Sequence, residues 1–223
     1  HRRSGKVAVI RGRHGTLATE LATRLLVDGW TVHAPGREQL DVTDTDSVDQ
    51  FFTSIDAVDL LINQAGVIDD CAVQKMSEES FQHVLDVNLK GAFRCARAAL
   101  KLMSRRRSGH LIQVGSYDAL RGPAGQANYA AAKAGLIAIT KSIALEYGAR
   151  NIRSNCVLPG LLESRMTKEL LGDPARRAEL EKQHALGRLN TVEDAARFML
   201  FLDTLPHVSG QVFQLDSRIG RWV

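Results

Sequence analysis

The stretch KVAVIRGRHGTLA, residues 6–18, decides the fold. Its apolar first half is typical of a strand that is buried on both faces of a parallel sheet. Gly12 and Gly15 interrupt the apolar run, and the periodic apolar residues of the segment 16–28 then predict a helix. With Ala18 in the third position, the turn fits the G-x-x-G-x-x-A form of a dinucleotide-binding fingerprint. The stretch therefore predicts a strand, a phosphate-binding turn and a helix.

The rest of the chain continues this alternation. Further strands are predicted in WTVHA (30–34), DAVDLLIN (56–63), GHLIQVGS (109–116), NIRSNCVLP (151–159) and QVFQLD (211–216), and long helices at about 78–105 and at 127–147. Apolar strands that alternate with helices predict an α/β fold, a Rossmann-type doubly wound parallel sheet. No repeat or linker is visible, so we expect a single domain over residues 1–223, with residues 1–5 as a disordered or tag-derived start.

The connection from the second strand to the third is unusually short. Only PGREQ (35–39) separates WTVHA from LDVTD (40–44). A parallel crossover needs about a dozen residues or more. We therefore predict that the helix between strands 2 and 3 is deleted and that the adenine end of the site is open. LDVTD is then either a short strand at the sheet edge or part of a loop.

Four residues in fixed order predict the chemistry: Asn88, Ser116, Tyr129 and Lys133. Tyr129 and Lys133 are four residues apart on a predicted helix, so their side chains leave the same face. A neighbouring cation favours phenolate, which predicts a lowered pKa for Tyr129. Ser116 ends a strand, where its hydroxyl could hold a carbonyl oxygen. The set predicts proton transfer to or from a carbonyl or alcohol oxygen, which is useful together with a hydride carrier.

These residues and several ordered motifs resemble the short-chain dehydrogenase/reductase family, and within it the 3-oxoacyl-[acyl-carrier-protein] reductase-like carbonyl reductases. LINQAG (61–66) resembles the family's Asn-Asn-Ala-Gly segment, and LPGLLES (158–164) resembles its Pro-Gly-x-x-x-Thr segment. Asn88, Ser116 and the Tyr-x-x-x-Lys pair match the family's catalytic residues in order and separation. The resemblance covers nearly the whole chain.

The resemblance implies a role for each residue of the quartet. Ser116 would bind the carbonyl oxygen, Tyr129 would donate a proton to it, and Lys133 would hold the nicotinamide ribose. Asn88 would stabilise an irregular helix and a water that links Lys133 to solvent, although it could also only cap or bridge backbone. Residues 161–188 would form a lid over a small carbonyl or alcohol substrate, with 3-oxoacyl thioesters among the candidates.

The resemblance also implies the cofactor contacts. These are Gly12, Arg13, Gly15, Leu17, Arg37, Asp41, Val42, Asn63, Ala65, Gly66, Tyr129, Lys133, Pro159, Gly160, Leu162 and Ser164. No metal ligands are expected. For Asp41 two interpretations stay open, since it could contact the adenine amino group or merely terminate a turn.

NADP(H) is the predicted cofactor, with NAD as the alternative. An NAD site needs a carboxylate near the end of the second strand, and HAPGR (33–37) contains none. Arg37 and Arg13 could bind a phosphate through two-point guanidinium contacts, unless they are solvated surface residues. The direction of Arg11, which stands where the family usually has threonine, is open.

The departures from the family pattern keep a second hypothesis, a non-catalytic or weakly active scaffold that binds the cofactor. Arg11 and Gln64 replace the usual residues, and Gly15 falls one residue early. The intact quartet argues against that hypothesis. An epimerase or dehydratase of the extended branch is disfavoured, because the chain is too short for the C-terminal substrate domain of that branch.

Composition bears on partners and location. The net charge is +4, and the basic cluster at residues 105–107 ends a predicted helix, where cations complement the helix dipole, so we expect no nucleic acid. No apolar run is long enough for a bilayer, so we expect no membrane. Three scattered cysteines predict reduced thiols and a cytoplasmic protein. Small residues on the two long helices predict a homotetramer or homodimer: Ala96, Ala98, Ala99, Ala131, Ala132 and Gly135.

Overall fold

The computed structural model describes residues 5–12 and 15–219. In this part of the chain six strands form one parallel sheet in the order β2-β1-β3-β4-β5-β6. The strands are β1 (Val7–Arg11), β2 (Thr31–His33), β3 (Leu60–Asn63), β4 (Gly109–Val114), β5 (Ile152–Leu158) and β6 (Val212–Gln214). All the strands predicted from apolar runs are present. The predicted disordered start at residues 1–5 lies outside the described residues except for Gly5.

Helices cover both faces of the sheet, which confirms the doubly wound prediction. Their bounds are α1 (Thr16–Val27), α2 (Thr45–Thr53), α3 (Glu78–Leu85), α4 (Gly91–Arg106), α5 (Asp118–Arg121), α6 (Ala127–Tyr147), α7 (Lys168–Gly172), α8 (Pro174–Lys182) and α9 (Val192–Asp203). Because successive side chains of a strand point to opposite faces, Ala8 and Ile10 pack with α1 and α9, whereas Val9 packs with α2, α4 and α6.

No helix lies between WTVHA and LDVTD, as predicted, but the crossover from β2 to β3 in the structure spans residues 34–59 and contains one helix, α2. Residues 34–44 contain neither a helix nor a strand, and LDVTD forms a loop with a turn. The helix α2, which the sequence analysis did not predict, alone carries the chain from β2 to β3. Asp44 caps it by accepting hydrogen bonds from the backbone N–H groups of Asp46 and Ser47. Val48 and Phe52 anchor α2 in the core.

The long helix predicted at about 78–105 is interrupted. Between α3 and α4 the backbone widens into a π-helical turn, Asp86–Lys90, with Asn88 at its centre. Such turns are rare and occur mostly at functional sites. The backbone alone therefore marks the region around Asn88 as a candidate functional site.

Most of the small residues expected to contact a second copy are instead inside the protein. Ala96, Ala98, Ala99 and Ala132 are at most 3% exposed and pack in the core of this chain. The helical pattern placed them on an apolar face, but that face meets the sheet. Ala131 is exposed.

Candidate functional site

The functional residues gather where the carboxyl ends of the strands open into a crevice. After β1 the chain goes to one side of the sheet to form β2, while β3 lies on the other side. The loops that follow β1 and β3 therefore diverge, and in α/β sheets ligands bind at such a switch point. Gly12 follows β1, Gln64 follows β3, and Ser116 follows β4.

The first loop is built for close approach of an anion. Gly12 has φ +119°, a conformation that favours glycine, and a Cβ there would lie 3.3 Å from the backbone N of Ala65. Gly15 is the N-cap of α1, and no side chain caps this helix. The free N–H groups of the first turn and the helix dipole suit a phosphate. These residues fit the pyrophosphate of a dinucleotide.

Leu17 and Arg13 are the other cofactor contacts predicted for the first loop. Leu17 is 4% exposed and packs its side chain in the core, so its backbone N–H is the group left for a cofactor. Arg13 lies outside the described residues.

Arg11 does not face the phosphate loop. Its side chain is 3% exposed, and its Nη2 donates to the backbone oxygen of Val87 over 2.5 Å, in the π-helical turn. Nε and Nη1 have no hydrogen-bond partner. A Cβ on Gly91 would lie 3.1 Å from Nη2, which places the guanidinium against the start of α4. The side chain of Arg11, whose direction the sequence leaves open, therefore points into the protein.

The segment after β3 is held by buried amides. Asn63 donates from Nδ2 to the backbone oxygen of Ala92 over 3.2 Å, and its Oδ1 has no partner. A Cβ on Gly15 would lie 3.0 Å from Nε2 of Gln64, so Gln64 leans over the phosphate loop. The sequence analysis noted Gln64 as a departure but did not predict this position. A Cβ on Gly66 would lie 3.1 Å from Oδ1 of Asn88, so the loop and the π-helical turn touch.

Asn88 bridges backbone with both of its polar atoms. Its Oδ1 accepts from the N–H of Val67 over 2.8 Å, and its Nδ2 donates to the backbone oxygen of Val67 over 2.9 Å. The residue is 1% exposed. The bridging interpretation therefore describes its side chain in this structure.

The structure brings Ser116, Tyr129 and Lys133 together. Lys133 Nζ lies 5.6 Å from the centre of the Tyr129 ring and donates to the backbone oxygen of Val114 over 2.8 Å. Ser116 follows β4 directly. A Cβ at the neighbouring Gly115 would lie 2.5 Å from Cδ2 of Leu158, so a side chain there would require Leu158 to move.

The predicted lowering of the tyrosine pKa is wrong for this structure. Burial, followed by the negative charges of Asp118 and Asp70, raises the pKa of Tyr129 to about 12, although hydrogen bonding to Ser116 acts in the opposite direction. For Lys133 burial, followed by the charge of Arg11, lowers the pKa to about 8. The helical spacing predicts that the two side chains are adjacent. It does not predict their burial, which is the largest cause of both pKa shifts.

Asp118 is a site residue that the sequence analysis missed. Its carboxylate accepts a hydrogen bond from Ser116 Oγ over 3.1 Å. The available signal was a charged residue two positions after a predicted catalytic serine. Beside it, the guanidinium of Arg218 lies 4.1 Å from the ring of Tyr117 and pairs with Asp216.

At the predicted adenine end of the cofactor site, the side chain of Arg37 is exposed to solvent. Arg37 is 82% exposed in its side chain, and its Nε lies 3.2 Å from Oδ2 of Asp41. The other oxygen of Asp41 accepts from N–H and Oγ1 of Thr43, and these bonds are the main reason that the pKa of Asp41 is lowered. The structure thus shows Asp41 in its turn-forming role. Val42 is buried, and its backbone oxygen accepts from Arg94.

The segment after β5 is stiffened by residues that motif matching did not identify. Asn190 donates to the backbone oxygen of Pro159 over 2.7 Å. Thr167 Oγ1 donates to the backbone oxygen of Leu162 over 2.6 Å and accepts from the N–H of Ser164 over 2.9 Å. Gly160 has φ +87°, and a Cβ there would lie 3.0 Å from Cβ of Asp216.

Two features are absent from the described residues, 5–12 and 15–219. No group of three or more histidine, cysteine, aspartate or glutamate side chains is arranged to hold a metal ion there. Among those same residues no helix has both the length and the apolar character needed to span a bilayer.

Comparison with known proteins identifies relatives along most of the chain. A protein-family model described as "Enoyl-(Acyl carrier protein) reductase" matches residues 11–217. The chain is 45% identical over 157 residues to the 3-oxoacyl-[acyl-carrier-protein] reductase FabG of Chlamydia pneumoniae, a match that covers 70% of this chain and 62% of that protein. It is 35% identical over 219 residues to the 3-oxoacyl-[acyl-carrier-protein] reductase of Synechocystis sp., covering 95% and 85%.

Solved structures share the fold. One neighbour is described as a putative NAD(P)-dependent gluconate 5-dehydrogenase from Beutenbergia cavernae with bound NADP at low occupancy. It superposes with a TM-score of 0.90 at 26% identity and covers 96% of each chain. The structure of gox2181 also has a TM-score of 0.90, at 25% identity, with 97% of this chain and 96% of that chain covered.

The lowered pKa of Lys133 predicts a pH-dependent stability difference. Between pH 8 and the ordinary value of 10.5 the folded protein has released the lysine proton, whereas the unfolded chain still binds it. Unfolding then takes up a proton, so the free energy of unfolding rises with pH. We expect the stability of the wild type relative to Lys133→Met to increase from pH 7.5 to about pH 9 in urea denaturation.

The matched control is Lys141→Met, on the exposed side of the same helix. The difference between wild type and this variant should stay flat over the same range. If the stability difference between wild type and Lys133→Met is also independent of pH, the lowered pKa of Lys133 in the folded protein is contradicted.

Proposed function

Because the chain belongs to the short-chain dehydrogenase/reductase family, we propose that it is an NADP(H)-dependent oxidoreductase that interconverts a ketone and a secondary alcohol. The family membership confirms the resemblance predicted from the sequence motifs. The observation that carries the proposal is that Ser116, Tyr129 and Lys133 lie together at the same edge of the sheet as the uncapped N-terminus of α1. The proton-transfer groups and the anion site then serve one reaction.

The chain's own residues supply the proton chemistry. When bound, NADPH supplies a hydride to the carbonyl carbon. Ser116 donates a hydrogen bond to the carbonyl oxygen, and the Tyr129 phenol donates its proton to that oxygen. The raised pKa of Tyr129 suits this role, because a donor must still hold its proton at neutral pH.

Lys133 and Asn88 support this pair. The Lys133 ammonium, anchored on Val114, would hold the nicotinamide ribose hydroxyls. Asn88 fixes the backbone of Val67 and thereby the loop that faces the cofactor. The predicted water between Asn88 and Lys133 stays a prediction.

The cofactor would lie along the crevice. Its pyrophosphate would bind at Gly12, Gly15 and the N–H of Leu17, together with Arg13. The remaining proposed contacts are Asp41, Val42, Asn63, Ala65 and Gly66 at the adenosine end, and Pro159, Gly160, Leu162 and Ser164 at the nicotinamide end. NADP is favoured over NAD because Arg37 is free on one side for a 2′-phosphate, and because a close structural neighbour was solved with NADP.

The substrate class follows from the relatives. The curated relatives are named for 3-oxoacyl thioesters carried on acyl carrier protein, so a 3-oxoacyl thioester is the first candidate. We propose a single domain over residues 1–223 in which residues 161–188, with α7 and α8, form a lid. The lid ends on the C-terminal segment, where the N–H of Ala185 donates to the backbone oxygen of Ser217 over 2.9 Å. The scaffold hypothesis is not favoured, because the quartet is complete.

Location and assembly complete the proposal. The cysteines of the described chain are free thiols, two of them buried, which suits a reducing cytoplasm. A homodimer or homotetramer is proposed through the outer faces of α4 and α6. Phe93 and Leu145 are 46% and 86% exposed there.

Removal of the Tyr129 hydroxyl tests the proposed reaction. Tyr129→Phe should reduce turnover by about two to four orders of magnitude, the scale of general acid catalysis, while the dissociation constant for NADPH changes little. Tyr147→Phe, at the far end of the same helix, is the control and should keep full turnover. Undiminished turnover of Tyr129→Phe on a ketone that the wild type reduces would refute the mechanism.

The relative affinities for NADPH and NADH test the proposed role of Arg37. We expect NADPH to bind more tightly than NADH, and Arg37→Ala to weaken NADPH binding by about tenfold or more, the scale of a charge-assisted hydrogen bond. NADH binding should be unaffected. Arg105→Ala, an exposed arginine at the end of α4, controls for net charge. Preference of the wild type for NADH in a fluorescence titration would overturn the assignment.

Assembly is tested by a charge on the proposed interface. Leu145→Asp should shift the oligomer toward the monomer in light scattering at micromolar concentration, because an isologous interface places the new charge against its own copy. Leu26→Asp, on the exposed side of α1, should leave the mass unchanged. A monomeric wild type would contradict the proposal.

A further inference from the structure

The loop of residues 34–44, proposed above as the adenine end of the cofactor site, has mainly local hydrogen bonds. The N–H of Asp41 donates to Oγ of Ser47 over 2.9 Å, and the N–H of Asp44 donates to the backbone oxygen of Asp41 over 3.1 Å. Because residues 34–44 form no strand, sheet hydrogen bonds do not hold the loop. The local bonds fix the shape of the loop, but they do not fix its distance from the strands that carry the other proposed contacts.

Arg94 ties this loop to the body of the protein. It lies near the start of α4, and its Nη1 donates to the backbone oxygen of Val42 over 2.9 Å. The hydrogen bond is charge-assisted, a kind that is stronger than a bond between neutral groups. Val42 is 9% exposed, and its side chain packs in the core with residues of α2 and α4. Since Val42 is among the proposed adenosine contacts, the bond from Arg94 acts on a wall of that site.

The Arg11 guanidinium and the Val42 side chain border the same space at Gly91. A Cβ on Gly91 would lie 2.7 Å from Cγ2 of Val42 and 3.1 Å from Nη2 of Arg11. The same Nη2 donates to the backbone oxygen of Val87, and Arg11 is 3% exposed. Because protein interiors are closely packed, a Cβ at Gly91 would require its neighbours to move. Gly91 therefore leaves the room in which Val42 packs beside Arg11.

We propose that Arg94 is a positioning residue for the adenine half of the cofactor, and that its hydrogen bond holds Val42 where the adenine ring binds. The inference rests on the function proposed above. It gives Arg37 and Arg94 different tasks. Arg37 acts on the 2′-phosphate, which NADP(H) carries and NAD(H) lacks, whereas Arg94 acts on the adenine ring, which both cofactors contain. The loop thereby keeps a defined adenine site without a helix or a strand of its own.

The dissociation constants of NADPH and NADH are the first test. Arg94→Met removes the hydrogen bond and the charge but keeps a long side chain. Both constants should rise by about tenfold, the scale of one charge-assisted hydrogen bond, and their ratio should stay that of the wild type. Arg94→Lys, whose ammonium can still donate to Val42, should recover most of the lost affinity. Unchanged constants in Arg94→Met would overturn the proposal, and so would a loss confined to NADPH.

The matched control is Arg197→Met, which removes the same charge from the exposed side of α9 and should leave both constants unchanged. A second variant, Gly91→Ala, keeps Arg94 but crowds Val42. Its constants for NADPH and NADH should rise together, and circular dichroism shows whether each variant is folded. Wild-type affinity of a folded Gly91→Ala for both cofactors would show that the position of Val42 does not matter, and would overturn the proposal.

Steady-state kinetics separate positioning of the cofactor from a general loss of structure. In ketone reduction by Arg94→Met the KM for NADPH should rise, while kcat at saturating NADPH stays at the wild-type value. The physical reason is that the adenine ring takes no part in the transfer of hydride or proton. A fall of kcat with an unchanged KM would contradict the assigned role.

Hydrogen exchange tests the loop without cofactor or turnover. In Arg94→Met the backbone amides of residues 40–44 should exchange faster than in the wild type, while those of β4 keep their protection. Identical exchange of residues 40–44 in the two proteins would overturn the proposal. If the wild type reduces no ketone, the proposed function fails, but the binding and exchange measurements still decide whether Arg94 positions the loop.

Discussion

The burial of Lys133 is the constraint on which the site depends. The residue is 3% exposed, and its ammonium donates one hydrogen bond, to the backbone oxygen of Val114. The Arg11 guanidinium lies nearby in the same interior, bound to the backbone oxygen of Val87. Two cations held by carbonyl oxygens and without a carboxylate partner in the described chain are costly to bury.

The charges on the opposite side of Tyr129 are negative. Asp118 and Asp70 face the phenol from α5 and from the loop after β3. The pKa of Tyr129 thus reflects burial first and the carboxylates next. Charges near an ionisable group shift its pKa without any contact with substrate. Family motifs describe the residues that react, whereas the setting of their proton affinity comes from neighbours outside the motifs.

The shortened crossover changes the edge of the sheet without disturbing this centre. Residues 34–44 run as a loop from β2 to α2, and the anchoring of α2 by Val48 and Phe52 keeps the loop's far end in place. Asp41 holds the loop through Thr43 and Arg37. The loop proposed above as the adenine end is therefore held by a few local hydrogen bonds. The carboxyl ends of β3 and β4, where the quartet lies, belong to the interior of the sheet and are shielded from that change.

The sequence by itself determined the strands, the doubly wound sheet, the absence of a helix between WTVHA and LDVTD, the family and the order of the quartet. Apolar runs, glycine turns and motif spacing are local properties, so they can be read without coordinates. Only the tertiary structure decided that Arg11 turns inward, that Asn88 bridges the backbone of Val67, and that Asp118 faces Ser116. It also reversed the expected direction of the Tyr129 pKa. Burial and through-space charge depend on which distant segments meet, and spacing along the chain does not specify that.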